Sequence, residues 1–384
     1  MTLPHDDLGD AWRSARPAAV GHHLDTAACS RQSLRVLDAV AAHARHEAEI
    51  GGYVAEAAAA PLLRQGRAAL AGLLGAAADD LAFVESATAA LPLLLASLPL
   101  PLGAVVAAVP GEWGPNLAAF ADRGLTVRPL PVDGVGRVDL ALLPHALAAD
   151  PPALVHLTPV ASHRGVLQDT AAVAAACRGA GVPLVLDVAQ ALGHVDCDHG
   201  ADAAYGTSRK WLAGPRGVGF LVVRPALAAR LVPVSPALTP ARWPAMGDLP
   251  PAQRLESREA HVAGRVGLCL AVGEHLAAGP DRVHSRLGAL GRAARQILQG
   301  AGGWRIADPL DEPVAIVTLT PPDGVDVVAA RARLLTSAAV VTTVTGPERA
   351  PGEMTGPVLR VSPHVDATLA DFEALAAALA GLPA

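Results

Sequence analysis

The stretch PLVLDVAQALGH, residues 183–194, is apolar through Leu186 and then meets a carboxylate, Asp187, with Gln190 and His194 following. It reads as a strand over 183–189 that is covered on both faces, because an unbroken apolar run leaves no side for water. Similar short runs lie on either side of it, at 104–110, 126–132, 153–160, 203–208 and 218–223. Alanine-rich helical stretches fall between and before them, at 54–76, 86–98, 114–123, 138–148 and 168–180. Strands that alternate with helices build a parallel sheet with helices on both faces. Ligands of such sheets bind beyond the carboxyl ends of the strands. Asp187 is therefore either a ligand group at a strand end or a cap for the helix that follows.

Downstream, YGTSRKWLAGPRGVG (205–219) contains Lys210, the only lysine among 30 Lys and Arg residues. Arginine serves as well as lysine for a solvated charge, but it stays protonated and cannot form a Schiff base. A lone lysine is thus either a leftover surface charge or a position that needs an amine.

Composition narrows the function classes. The hydrophobic fraction of 52% and charged fraction of 17% suit a globular chain, and 384 residues suffice for two domains. The net charge of −6, with no basic run, argues against nucleic-acid binding. Cys29, Cys177, Cys197 and Cys269 are scattered without a CxxC pair, so neither a metal site nor a disulfide framework is expected. A reduced, cytoplasmic setting is the expectation. The N-terminal residues lack an apolar signal core. The most apolar stretch, 90–109, is broken by three prolines and a glycine, so no membrane span is expected.

A proline-rich stretch, 233–251, interrupts the alternation. Beyond it lie helical segments at 254–278 and 281–299, then mixed strands and helices. We expect an N-terminal segment (1–20) packed on the smaller domain, a large α/β domain (21–250) and a small α+β domain (251–384).

Asp187 and Lys210 together suggest a cofactor. A carboxylate that keeps a pyridine nitrogen protonated and an amine that carries an aldehyde are the two protein groups pyridoxal phosphate needs most. A phosphate site should accompany them. FVESATAAL (83–91) reads as a short strand, then hydroxyl and small residues at a helix start, where backbone N–H groups and the helix dipole favour an anion. The same serine and threonine would also serve as ordinary caps.

In order along the chain, ESATAAL, GEWGPN (111–116), TPVASHRGVLQD (158–169), DVAQALGH, TSRKWLAGPRGVGFL (207–221) and LRVSPHVDAT (359–368) resemble the class V aminotransferases over about residues 20–380. The resemblance implies pyridoxal-phosphate fold type I: a large domain with a mainly parallel, seven-stranded sheet between helices, plus a smaller α+β C-terminal domain. It implies that Ala87 and Thr88 hold the phosphate, aided by Thr207 and Arg209. Trp113 takes the place of the residue stacked on the ring, and Ser162 lies near the ring hydroxyl. Asp187 pairs with the ring nitrogen, Gln190 bonds the ring hydroxyl, and Lys210 carries the aldehyde. Arg360 binds the substrate carboxylate as a fork. A homodimer is implied as well. Two departures stand out: Arg209 replaces a histidine common before the lysine, and LESREAHVAG (255–264) offers Arg258 and Glu259 where many relatives reach the partner's phosphate with a Gly-Thr pair.

Within class V, cysteine desulfurases carry a mobile cysteine shortly before the carboxylate-binding arginine, and 341–359 has none. HLDTAACSRQS (23–33), HARHEAEIGGYVAE (43–56) and SPHVDAT (362–368) instead resemble a branch of carbon–sulfur lyases. Their substrate is an amino-acid sulfoxide whose sulfur is joined to a trimethylated, betaine-like histidine. The resemblance implies β-elimination to a sulfenic acid, pyruvate and ammonia, with an external thiol as reductant. Another class V activity is the alternative. Tyr53 either faces the quaternary ammonium of this substrate or packs at a helix end. Cys29, in a segment that nears the site, is expected to be a structural thiol.

Overall fold

A computed structural model describes residues 3–232, 249–257 and 259–382. Its centre is a seven-stranded sheet in the spatial order Leu81–Val84, Gly219–Val223, Ala203–Thr207, Leu184–Asp187, Leu154–Leu157, Val105–Ala108 and Thr126–Pro129. The last five run parallel to one another, while Gly219–Val223 is antiparallel to both its neighbours. All six strands expected from apolar runs are present.

Alternate residues of one strand enter opposite cores. Leu184 and Leu186 join the cluster that includes Val173 and Cys177 of the helix Thr170–Ala180. Val185 joins the other, with Leu91, Leu94 and Leu95 of Ala87–Ser97 and with Phe120 of Gly114–Asp122. The sheet is thus dry on both faces, which is why its strands lack a polar period. Fully burying one such leucine or phenylalanine contributes about 1.5–3 kcal/mol.

A second, antiparallel sheet has the order Thr343–Thr345, Val358–Val361, Val317–Thr320, Arg305–Ile306. The helices Val327–Ala338 and Leu369–Ala380 accompany it in sequence. The helix expected over 254–278 is shorter, Val262–Ala278, with only a 3-10 turn at Ala252–Leu255 before it. The N-terminal residues return to the C-terminal ones. Trp12 stacks on His364 with centroids 5.0 Å apart, and the Arg286 guanidinium donates to the Pro4 and Val365 carbonyls. From there His22–His23 pairs parallel with Val340–Val341, and Asp25 bridges to Ser362. This route delivers residues 25–28 to the carboxyl ends of the large sheet. No described helix is long and apolar enough to cross a membrane.

Candidate active site

Beyond the carboxyl ends of the parallel strands lies a cavity of about 280 Å³. Each strand end supplies part of its wall: Ser86, Ala87 and Thr88 after Val84; Gly111 and Trp113 after Ala108; Thr158 and Ser162 after Leu157; Asp187 and Gln190; Thr207, Arg209 and Lys210. Ala27 and Ala28 come from the N-terminal segment, and Thr343, Arg349 and Arg360 from the second sheet. Ala87, Thr88, Trp113, Ser162, Asp187, Gln190, Thr207, Arg209, Lys210 and Arg360 are therefore gathered around one space.

Ser86 Oγ accepts the Ala89 amide at 3.1 Å and so caps the helix Ala87–Ser97. The first amides of that helix have no intrahelical partner, and Ala87 and Thr88 lie on the cavity wall. Gly219 permits this arrangement: a Cβ there would stand 2.5 Å from the Gly206 carbonyl oxygen and 3.0 Å from Ser86 Cα.

Lys210 follows the strand Ala203–Thr207 by three residues, and its turn is locked by its neighbour. Trp211 is fully buried, stacks on His194 at 3.8 Å, and donates from Nε1 to Gln190 Oε1 at 2.9 Å. His194 is held neutral by burial, its pKa pushed down to about 3. Its Nδ1 donates to the Gln190 carbonyl, and its Nε2 accepts the Ala315 amide at 2.7 Å. The turn closes with the Ala213 amide on the Lys210 carbonyl, and Ala213 sits at φ 54, a left-handed conformation unusual for alanine.

The Lys210 amine makes no hydrogen bond to a described residue. Burial pushes its pKa down to about 7. The Asp187 carboxylate pulls upward, while Arg209, Arg360 and Arg349 add to the depression. Between about pH 7 and 10.5 the unfolded chain therefore holds a proton on this amine that the folded, cofactor-free chain has lost. Stability from this group rises with pH across that window. Urea unfolding of cofactor-free protein should show wild type gaining on Lys210→Met between about pH 7 and 10; parallel curves would refute the depressed pKa.

Asp187 is 4% exposed and is followed by no α-helix, so it is not a helix cap. Its Oδ1 accepts the Ala189 amide at 2.9 Å, and its Oδ2 accepts Asn116 Nδ2 at 3.1 Å. The same Asn116 nitrogen donates to Glu112 Oε1 at 2.9 Å. Glu112 Oε2 lies 2.7 Å from His156 Nδ1, and His156 Nε2 lies 2.9 Å from the Tyr205 hydroxyl. Burial alone would raise the Glu112 carboxyl, yet His156, Asn116 and the Trp113 amide hold it below its usual range. Burial likewise disfavours charge on His156, and Glu112 overcomes this and raises it. The two form a buried ion pair behind Asp187. Tyr205 is kept protonated by burial and by the Asp187 and Glu112 charges. Sequence reading missed this group. Its signal is a histidine in the apolar strand LVHL and a glutamate in GEW, since a buried charge needs a partner.

Gln190 ties its neighbours: besides accepting from Trp211 it donates from Nε2 to the Ala27 carbonyl at 3.0 Å, which leaves a second N–H. Arg360, 4% exposed, donates from Nη1 to the Ser162 carbonyl at 2.9 Å and from Nη2 to Asp25 Oδ1 at 3.4 Å. Asp25 is positioned in turn by Thr343 Oγ1 at 2.6 Å.

Tyr53 opens the helix Gly52–Gly72, is 81% exposed, and is not among the residues of the cavity wall. Gly51, at φ 92, ends the preceding helix and redirects the chain, so nearness in sequence does not become nearness in space. Cys29 is a free thiol whose sulfur faces the Ser30 carbonyl, and it too is outside the wall. Arg258 and most of the proline-rich stretch lie outside the described residues.

Three buried polar atoms of wall residues lack a partner among the described residues: Ser162 Oγ, Trp113 Nε1 and Arg360 Nε. Unpaired buried polar groups are costly unless a ligand satisfies them. Together with the uncommitted amine, the carboxylate and the helix start, they fit a phosphorylated pyridine aldehyde carrying an amino acid.

Comparison with known proteins bears on the same point. The sequence pattern of the class V aminotransferases (Aminotransferase class-V) matches residues 22–375. The chain belongs to this family. Pyridoxal phosphate is accordingly its cofactor. A probable hercynylcysteine sulfoxide lyase of Mycobacterium tuberculosis (strain CDC 1551 / Oshkosh) is 54% identical over 377 residues, 97% of this chain and 93% of that protein. Among solved structures, the apo cysteine desulfurase of Thermococcus onnurineus NA1 superposes with TM-score 0.82 at 20% identity, covering 99% of this chain and 98% of its own. A mutant of C-DES with glycine covalently linked to its PLP cofactor superposes with TM-score 0.84 at 19% identity, covering 97% and 99%. At these identities the structures bear out the fold alone: fold type I, with a mainly parallel seven-stranded sheet.

Proposed function

We propose that this enzyme is a pyridoxal-phosphate-dependent carbon–sulfur lyase that cleaves hercynylcysteine sulfoxide by β-elimination, in ergothioneine biosynthesis. The 54% identical relative supports the reading. The observation that carries it is chemical. Among the described residues no thiol lines the cavity, since Cys177, Cys197 and Cys269 are buried elsewhere and Cys29 stands off the wall. A persulfide-forming desulfurase needs such a thiol. A sulfoxide does not, because it departs as a sulfenic acid, a far better leaving group than a basic thiolate.

The cofactor, when bound, supplies an electron sink for the pair left at the substrate α-carbon. The chain's residues do the rest. Ala87 and Thr88 would hold the phosphate, with Thr207 and Arg209 beside it, and Trp113 would cover the ring face. The Asp187 carboxylate would hold the proton on the ring nitrogen, while Asn116 fixes its rotation. Gln190 would give its remaining N–H to the ring hydroxyl, with Ser162 available beside that group. Arg360 clamps the α-carboxylate as a fork that Ser162 and Asp25 hold in place. Lys210 Nζ, poised near neutrality, takes the α-proton. The carbon–sulfur bond then breaks, the electron pair forms the Cα–Cβ double bond, and the sulfenate leaves. Released 2-aminoacrylate takes up water to give pyruvate and ammonia. Reduction of the sulfenic acid to ergothioneine consumes two equivalents of an external thiol. The working form in this reading is a cytoplasmic homodimer.

Purified enzyme incubated with hercynylcysteine sulfoxide should release pyruvate and ammonia in equal amounts. Sulfide from cysteine, or amino transfer to a 2-oxo acid with the sulfoxide untouched, would reassign it within class V.

A further inference from the structure

Besides His163, which Glu353 holds, the cavity wall carries five lysine and arginine side chains, Arg209, Lys210, Arg216, Arg349 and Arg360, against one carboxylate, Asp187. The reaction above accounts for three of them. Lys210 is the base, Arg209 neighbours the phosphate, and Arg360 takes the α-carboxylate. Arg216 and Arg349 have no task. Neither is neutralised by the protein: Arg216 makes no hydrogen bond or ion pair with a described residue. The ion pair of Arg349, to Glu348 of its own turn, is 3.8 Å long between half-exposed and mostly exposed groups, a geometry that contributes little.

The turn that bears Arg349 is nevertheless held in place. Pro347–Arg349 follows the strand Thr343–Thr345, which pairs antiparallel with the strand of Arg360, Thr343 opposite Arg360. The carbonyl of Glu348 lies so close to Gly114 that a side chain at 114 would collide with it, which seats the turn on the helix that begins after Trp113. Ala350 and Met354 amides close the turn on Pro347 and Ala350 carbonyls. A guanidinium is thus offered at the cavity, beyond Arg360, from a packed turn. Crowding like charges around one cavity is unfavourable unless anions enter it. Phosphate and one α-carboxylate engage Arg209 and Arg360 and leave Arg349 and Arg216 without an anionic partner, which a third anionic group would supply.

We propose that Arg349, with Arg216, forms a second carboxylate subsite, so that the enzyme selects an amino-acid sulfoxide whose sulfur carries a second carboxylate. This rests on the lyase reading, whose substrate has one: the betaine half carries a carboxylate beside its quaternary ammonium. The two arginines read the carboxylate, and with Tyr53 outside the cavity wall no aromatic cage around the ammonium is required.

The test is the holoenzyme of Arg349→Gln and of Arg216→Gln, compared with wild type on two substrates. Hercynylcysteine sulfoxide has both carboxylates, and S-methyl-L-cysteine sulfoxide has only the α-carboxylate. For Arg349→Gln, kcat/KM on the first should fall about 10- to 100-fold, mostly through KM, the size of a charge-assisted hydrogen bond. On the second it should stay within about twofold. Arg349→Lys should recover part of the loss, and Arg216→Gln should move the same way by less. Equal losses on both substrates, no loss on either, or release of the cofactor from Arg349→Gln (which would make it a phosphate ligand) would each overturn the subsite. Calorimetric binding of histidine betaine to the holoenzyme needs no turnover. It should weaken about tenfold in Arg349→Gln. Wild type that binds the betaine through Arg349 but cleaves no sulfoxide would sink the lyase reading and keep the subsite; unchanged betaine binding would sink the subsite alone.

Discussion

Lys210→Ala should lower kcat/KM for pyruvate release from the sulfoxide by at least about a thousandfold, while the chain stays folded. The loss is large because every other basic or acidic side chain on the cavity wall is otherwise engaged. The arginines remain charged, His163 is held by Glu353 through Nε2 at 2.9 Å, and the wall's single carboxylate, Asp187, is committed to the Ala189 amide and Asn116. Folding survives because the amine makes no hydrogen bond whose loss would orphan a partner, and the backbone turn from Lys210 to Ala213 does not involve it. Removing one cation from beside Arg209, Arg360 and Arg349 relieves repulsion. A coupled assay for pyruvate measures the loss. Visible absorbance gives a second reading, since the band of cofactor covalently attached to the protein should vanish. Activity within tenfold of wild type would remove Lys210 from the chemistry.

Asp187→Asn should cost about 10²–10⁴-fold in kcat/KM with little change in KM. The substitution keeps the shape of the side chain and removes its charge, so it separates electrostatics from packing. A neutral amide cannot hold the ring proton. The change also reaches backwards, because Asn116 Nδ2 donates to both Asp187 and Glu112, and an amide nitrogen turned toward it would face donor against donor. The Lys210 amine would titrate lower still, because Asp187 is the carboxylate that raises it. The measurement is the pH profile of kcat/KM beside the absolute rate. A variant with near-normal rate would show that the strand-end carboxylate is only structural.

Much of this was legible beforehand. The strands of the large sheet stood out because burial on both faces makes them apolar without interruption, as at 183–186. Lys210, Asp187 and Arg360 stood out because their chemistry is peculiar to their residue types. What stayed hidden depends on distant pairing. Asn116 meets Asp187 across 71 residues, and His156 meets Glu112 across 44. No local period encodes such contacts; sheet order creates them, by placing Val105–Ala108 and Leu184–Asp187 on either side of Leu154–Leu157. Asp25 was hidden for the same reason, since it reaches Arg360 only through the bridge between Asp25 and Ser362. Tyr53, singled out by its aromatic ring, lies on the surface of the chain after a glycine at positive φ, a position its local sequence does not reveal.

The tie between Asp25 and Arg360 spans 335 residues of chain. The lysine and the residues at the start of the helix Ala87–Ser97 are made by about residue 220, but the Ala315 amide that holds His194, the His364 ring against Trp211, and Arg360 itself come only with residues 315–364. The wall of the cavity is therefore complete only once the C-terminal residues have been synthesised and docked.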